Sequence, residues 1–122
     1  MSPPYVLLAL VEAEVVLWVD GDRLRFRAPA GALTDALRGD VGRCRGTLVA
    51  LVKAGAVLPA DRAAWPVEAI ESFEERAGIC EFDGGLARAE AERVAERCVR
   101  LEHAREFVER AALVSPPVRD HP

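Results

Sequence analysis

Two short runs of strand-type residues lie near the start of the chain, on either side of an Asp-Gly pair. Residues 15–19 are apolar, β-branched or aromatic, and in residues 22–27 polar residues alternate with Leu24 and Phe26. Alternation with a period of two is typical of a half-buried strand. Because Asp-Gly readily adopts the positive φ angles of a type I′ turn, this pattern predicts an antiparallel β-hairpin with Asp20 and Gly21 as its loop.

The predicted pairing places Leu17 opposite Leu24 and Val15 opposite Phe26, and these four residues form a core face. The other face carries the remaining side chains, Val16, Trp18, Arg23, Arg25 and Arg27. An exposed Trp beside three arginines can bind a carboxylate-bearing partner, or it can simply shelter under the arginine stems on a solvated face. The open strand edges also invite a third strand from a partner.

Helical patterns surround the hairpin. Pro3 and Pro4 suit a first helical turn, and a helix over residues 5–13 would bury a stripe at helical spacing: Val6, Leu7, Leu10 and Val11. After the hairpin, Thr34 is a favourable N-cap for a helical pattern over residues 37–53. Glycines at 39, 42 and 46 weaken that pattern, so a break near residues 39–42 would give two short helices.

The second half of the chain is predicted to be all-helical. A helix starting at Pro66 would bury Val67, Ile70, Phe73, Ala77 and Cys80, and residues 83–85 would end it. A longer helix over residues 88–112 would bury a stripe at intervals of three and four, namely Ala91, Val94, Cys98, Leu101, Ala104 or Arg105, Val108 and Ala112.

These elements predict an α+β fold. An αββαα module with a two-stranded antiparallel hairpin and short helices would be followed by a helical hairpin extension. The corresponding division is a module over 1–54, a linker over 55–65, a helical extension over 66–113 and a flexible tail over 114–122. The apolar run at residues 6–19 is interrupted by Glu12 and Glu14 and is too short to span a bilayer, so we expect neither a signal peptide nor a membrane anchor, and a cytoplasmic location.

Charge is unevenly distributed along the chain. The net charge of −4 divides into +1 for residues 1–53 (seven Lys and Arg, six Asp and Glu) and −5 for residues 54–122 (nine against fourteen). An acidic second half argues against wrapping a phosphate backbone, which requires cationic contacts. The acidic residues of the second half are expected to form a solvated helical surface, and the alternative is a dedicated acidic docking face.

Residues that could carry chemistry are few. The three cysteines, Cys44, Cys80 and Cys98, are widely separated and indicate neither a disulfide framework nor a zinc site. His103 lies in a charged helical stretch and His121 near the end of the chain. The glutamates of the second half alternate with arginines in the manner of surface ion pairs. We therefore expect no enzyme, no catalytic residue, no cofactor and no metal.

Residues 5–53 resemble the TubC-type N-terminal docking domain of hybrid polyketide and nonribosomal peptide megasynthases. The resemblance is carried by the apolar first helix, the run "VLWVDGDRLRFRAPAGALT" at residues 16–34, and residues 48–51 in a closing helix. It implies an αββαα fold, homodimerisation, and capture of a charged C-terminal peptide of an upstream protein on the hairpin. Carried over by position, the recognition residues would be Trp18, Arg23, Arg25 and Arg27.

Residues 73–95, "FEERAGICEFDGGLARAEAERVA", loosely resemble a segment of proteobacterial mobile-element and phage replication proteins. Three functions therefore stay open. The first is a dimeric docking module that binds a protein or peptide, expected to be acidic. The second is an accessory protein of a mobile-element replication or DNA-processing complex, in which the arginine row contacts nucleic acid. The third is a structural dimer whose hairpin binds nothing.

Overall fold

The computed structural model describes residues 2–114, with side chains to residue 111. Its elements follow one another in the order α1 (Pro3–Glu12), β1 (Val16–Asp20), β2 (Arg23–Arg27), α2 (Asp35–Arg43), α3 (Arg45–Lys53), a 3₁₀ turn (Arg62–Ala64), α4 (Val67–Phe82) and α5 (Arg88–Val114). The predicted α+β order, αββαα followed by a helical hairpin, is confirmed. Val114, the first residue of the predicted tail, is the last residue of α5, and the rest of that tail, with His121, lies outside the described residues.

The hairpin forms with a pairing that differs from the predicted one. Asp20 pairs with Arg23 and Leu17 with Phe26, so the two-residue loop is Gly21-Asp22 and the predicted Asp20-Gly21 loop is wrong. Gly21 has a φ of 64° and is the one loop residue with a positive φ, which corresponds to a type II′ turn, where glycine takes the first central position. The pairing moves by two residues, so each side chain keeps its predicted face.

Burial on the two faces departs from prediction at two positions. Leu24 is buried, but Phe26 is 45% exposed, so its predicted core position is wrong. Helix α3 contacts the hairpin near its turn, where Lys53 Nζ lies 2.8 Å from Asp22 Oδ1. Phe26 lies near the other end of β2, away from that contact. Conversely, Val16 is buried because side chains of α5, including Arg97, lie beside it.

Local signals explain where the helices begin and end. Thr34 Oγ1 accepts a hydrogen bond from the Leu37 amide, as an N-cap does. The predicted break between two short helices is present, but it lies at Cys44 rather than at residues 39–42. Gly55, with a φ of 95°, ends α3. Helix α4 begins at Val67, with Pro66 as its N-cap residue, so Pro66 precedes the helix instead of opening it.

Two hydrophobic clusters form the interior. The first joins α1, the hairpin and α3, and its fully buried members include Val6, Leu7, Leu10 and Leu48. The second cluster joins Leu58 and Trp65 of the connecting segment to Phe73 of α4 and to α5. Helix α5 packs along α4 and also against α1, and its Phe107 and Val108 contact the first cluster. One helix therefore supports both clusters.

The buried stripe of α5 differs from the predicted one. Ala91, Ala95 and Val99, four residues apart, are buried, and so are Arg100 and Ala104. The predicted Val94, Cys98 and Leu101 are only half-buried, because α5 contacts α1 as well as α4 and its buried face is set by both neighbours. Val67, predicted to be in the α4 stripe, is 66% exposed. Among the described residues, no helix is both long and apolar enough to cross a bilayer.

Candidate partner-binding surface of the hairpin

The predicted partner-binding residues share one face of the hairpin. Directly opposite residues of paired strands project to the same side of the sheet. Trp18 lies opposite Arg25, Val16 opposite Arg27, and Asp20 opposite Arg23. The structure thus brings Trp18 and the three arginines together, and it adds Asp20, which the sequence prediction had left out.

The arginines of this face are open to solvent. Arg23, Arg25 and Arg27 are all exposed, and Trp18 is 36% exposed. Arg25 Nη2 lies 3.6 Å from Asp20 Oδ2, and both side chains are at least half exposed. An exposed ion pair of this kind contributes little and exchanges readily. The guanidinium groups are therefore accessible to a carboxylate from another molecule.

The outer edge of β1 offers unpaired backbone groups. In a hairpin closed by the Asp20–Arg23 pair, hydrogen-bonded and non-bonded pairs alternate, so Leu17 and Val19 turn their N–H and C=O groups away from β2. Among the described residues, none donates to or accepts from these backbone groups. A strand edge in this condition is a template for a further strand.

A groove of about 560 Å³ runs beside this edge. Leu17, Trp18 and Val19 line it from the hairpin, and the segment that follows α3 lines it with Leu58 and Pro59. Ala64, Pro66 and His103 complete the lining. Most of this surface is apolar, and it is built jointly by the first module and the extension.

Three polar side chains hold the far side of the groove in place. His103 Nε2 lies 2.9 Å from the Gly55 carbonyl oxygen. Trp65 Nε1 donates to the Pro59 carbonyl at 2.8 Å. The buried Arg100 donates to the carbonyls of Leu58 and Ala60, each at 3.2 Å. These contacts fix the path of residues 55–60, and no local sequence pattern indicated them.

A second cavity, of about 310 Å³, lies between Val16 and α5 and is lined by alternating arginines and glutamates. Arg93 donates to both carboxylate oxygens of Glu14, and this bonding raises the pKa of Arg93. Arg62 and Arg100 both contact Glu96. The charges of this cavity are paired with one another, which suits structural ion pairs better than acid–base catalysis.

The predicted ion pairs of the second half are only partly local. Arg93–Glu90, Arg88–Glu92 and Arg100–Glu96 are the expected pairs three or four residues apart. Arg76, however, pairs with Glu102 of the neighbouring helix. The three cysteines are free and half-buried. Within the described part of the chain, no group of His, Cys, Asp or Glu side chains could hold a metal ion.

Comparison with known proteins identifies the first part of the chain. No curated protein and no solved structure matches it. Residues 6–53 match the family model of the TubC N-terminal docking domain, and this segment contains α1, the hairpin, α2 and α3. Domains of this family dock proteins to one another and are not catalytic. The chain is therefore similar to the TubC N-terminal docking domain over residues 6–53.

Proposed function

We propose that this protein captures an acidic segment of a protein partner on the arginine face of its hairpin. The observation that carries the proposal is the exposed row of Arg23, Arg25 and Arg27 beside the half-exposed Trp18. Guanidinium groups bind carboxylates through paired, charge-assisted hydrogen bonds, and the indole supplies apolar contact area at low entropic cost. The docking role of the family agrees with this proposal.

The proposal also includes homodimerisation and a cytoplasmic location, both of which stay predictions. Dimerisation is checked by sedimentation velocity over a range of concentrations. A mass equal to one chain at all concentrations would contradict it.

The test of partner capture compares three proteins in affinity purification from the native cell. These are the natural chain, Arg25→Glu, and Arg110→Glu as a matched charge reversal on α5. We expect a protein that is recovered by the natural chain and by Arg110→Glu but not by Arg25→Glu. Circular dichroism should show the same fold for all three. Equal recovery by all three would contradict a role for the arginine face.

The alternative, in which the arginine row binds nucleic acid for a mobile-element complex, predicts a different result. Asp20 and Asp22 flank the arginines at the turn, and their carboxylates would repel phosphates. Binding to single-stranded DNA that weakens steeply with salt and is lost in Arg23→Glu would favour this alternative. Binding to acidic peptides without DNA binding would favour protein docking.

A further inference from the structure

The outer face of α4 is a second candidate contact surface, distinct from the hairpin. Phe73 and Ala77 are buried on the inner face of this helix. The opposite face carries residues at helical spacing, which we call the outer stripe of α4: Glu68, Glu71, Glu75, Gly78, Ile79 and Phe82. We propose that the outer stripe binds a basic amphipathic helix of a protein partner. This inference goes beyond the proposed function, because the stripe lies outside residues 6–53.

Two large apolar side chains are exposed at the C-terminal end of the outer stripe. Ile79 is 52% exposed and Phe82 is 82% exposed, and they lie three residues apart on α4. Neither of them belongs to the two hydrophobic clusters. A shallow hollow of about 260 Å³ lies beside Ile79 and is lined also by Ser72, Glu75 and Arg76. A partner can therefore bury both apolar side chains and insert one of its own.

Gly78 marks the point where a partner helix comes closest. It lies within α4 and has no positive φ. A Cβ at this position would meet no atom within 4 Å, so neither backbone geometry nor packing among the described residues requires glycine. Glycine in a helix interior lowers stability relative to alanine. Its missing side chain does, however, let another backbone approach closely, and this explains its place between Glu75 and Phe82.

The charge of the outer stripe indicates a basic partner. Its three glutamates form no ion pair with any described residue, whereas Glu74 and Glu81 on its flank both bond to Arg88. Arg76, the one basic residue of α4, bonds to Glu102 of α5. The three carboxylates extend over about 10 Å of the helix. They attract lysine or arginine side chains at matching positions of a partner.

The same stripe argues against other occupants. Glu75 lies at its middle, so a two-fold contact between two copies of α4 would bring two Glu75 carboxylates together. Phosphates of nucleic acid and of anionic lipids would be repelled by the three glutamates. A helix fits better than a strand, because the spacing of three and four residues follows the ridges along which helices pack.

The test uses the full chain and a displayed library of helical peptides of about 18 residues, or five turns, as the probe. Enriched peptides are synthesised, and their Kd values are measured by fluorescence anisotropy. Glu75→Lys reverses one charge of the outer stripe, and Glu109→Lys makes the same change at an exposed position of α5. Phe82→Ala removes the exposed ring, and Val67→Ala truncates an exposed residue at the other end of α4.

We expect the enriched peptides to carry apolar residues on one helical face with Lys or Arg beside them. Their Kd should rise at least about tenfold with Glu75→Lys and with Phe82→Ala, and it should stay unchanged with the two control variants. Arg25→Glu should also leave the Kd unchanged, because the hairpin is a different surface. Circular dichroism should show the same fold for every variant.

Gly78→Gln separates a contact role from a structural one. Glutamine favours a helix more than glycine does, so this variant should raise the urea midpoint of the chain while the Kd of the peptides rises at least about fivefold. A higher midpoint with an unchanged Kd would overturn the close approach at Gly78.

Three further outcomes would overturn the proposal and leave the proposed function of the hairpin intact. The first is enrichment of no basic helix. The second is equal binding of the enriched peptides to Glu75→Lys and to the natural chain. The third is self-association of the natural chain, seen by sedimentation velocity and lost in Glu75→Lys, because the occupant would then be a second copy.

Discussion

Arg93 holds Glu14 by both carboxylate oxygens, with Nε at 3.1 Å from Oε1 and Nη2 at 3.0 Å from Oε2. Glu14 is also the one non-glycine residue of the described chain with a positive φ, 67°. Its amide donates to Val11 and the next amide donates to Leu10, the two bonds of a Schellman cap. A single glutamate therefore ends α1 and ties it to α5, 79 positions along the chain.

This double role predicts different outcomes for two substitutions at Glu14. Both Glu14→Gly and Glu14→Ala remove the carboxylate, but only glycine adopts a positive φ without strain. We expect the alanine variant to be less stable than the glycine variant by about 1 kcal/mol, measured by urea denaturation. Ala13→Gly, at a residue with a φ of −79°, should bring no such gain. Equal midpoints for the two Glu14 variants would show that the backbone there is unstrained.

Burial on the hairpin predicts unequal costs for two truncations on the same strand. Leu24 is 7% exposed and Phe26 is 45% exposed, although both lie on the face turned toward α3. Leu24→Ala should destabilise the fold by about 2–4 kcal/mol because it leaves a cavity. Phe26→Ala should cost under about 1 kcal/mol. Chemical denaturation measures both, and a larger loss for Phe26 would contradict the described packing.

Arg100 is buried and makes several polar contacts, so its removal should lower the stability of the fold. It donates to Glu96 at 2.8 Å and to two backbone carbonyls, and its guanidinium lies 5.1 Å from the centre of the Trp65 ring. Arg100→Met keeps the apolar stem but leaves those acceptors without a donor. We expect a loss of about 3 kcal/mol and a red shift of Trp65 emission, with the exposed Arg105→Met as control. An unchanged midpoint would show that water replaces the guanidinium without cost.

The contact between the hairpin turn and α3 predicts a measurable titration. Lys53 bonds to Asp22 and holds the pKa of that carboxyl below its ordinary value. This contribution to stability is therefore present at neutral pH and is lost as pH falls through the titration of Asp22. In Lys53→Met the pKa of Asp22 should rise toward the ordinary value of an aspartate, as followed by NMR of the carboxyl carbon. A pKa that stays low would implicate another group.

Much of the fold was predictable because local signals agreed with one another. Thr34, the apolar stripe of α1 and the glycine at 55 each fix a boundary through backbone geometry or burial alone. The two faces of the hairpin were also assigned correctly, since alternation does not depend on which residues form the turn. The similarity of residues 6–53 to the docking-domain family was also predictable, because the residues of that same stretch carry it.

What could not be predicted depends on contacts across the chain. The loop position depends on which strand pairing packs best. Gly21 fits the second position of a type I′ turn as well as the first position of a type II′ turn, so the sequence does not distinguish the two. Val16, Phe26 and the buried face of α5 depend on where helices from distant segments lie. The hydrogen bonds of His103 and Arg100 to backbone carbonyls leave no pattern in the sequence. Every residue has a carbonyl group, so the residue type does not reveal which one accepts. The partner-binding role of Trp18 and the arginines, the division into 1–54, 55–65 and 66–113, and the likeness of residues 73–95 to mobile-element proteins stay predictions.

Ala56 belongs to the first hydrophobic cluster and Leu58 to the second. A single residue separates these two positions, so the connection between the two hydrophobic clusters is too short to act as a hinge. Anyone transplanting this docking unit onto another protein would do well to carry α4 and α5 with it, because a cut at the connecting segment exposes both interiors. Fusion points are safer before Pro3 or after α5.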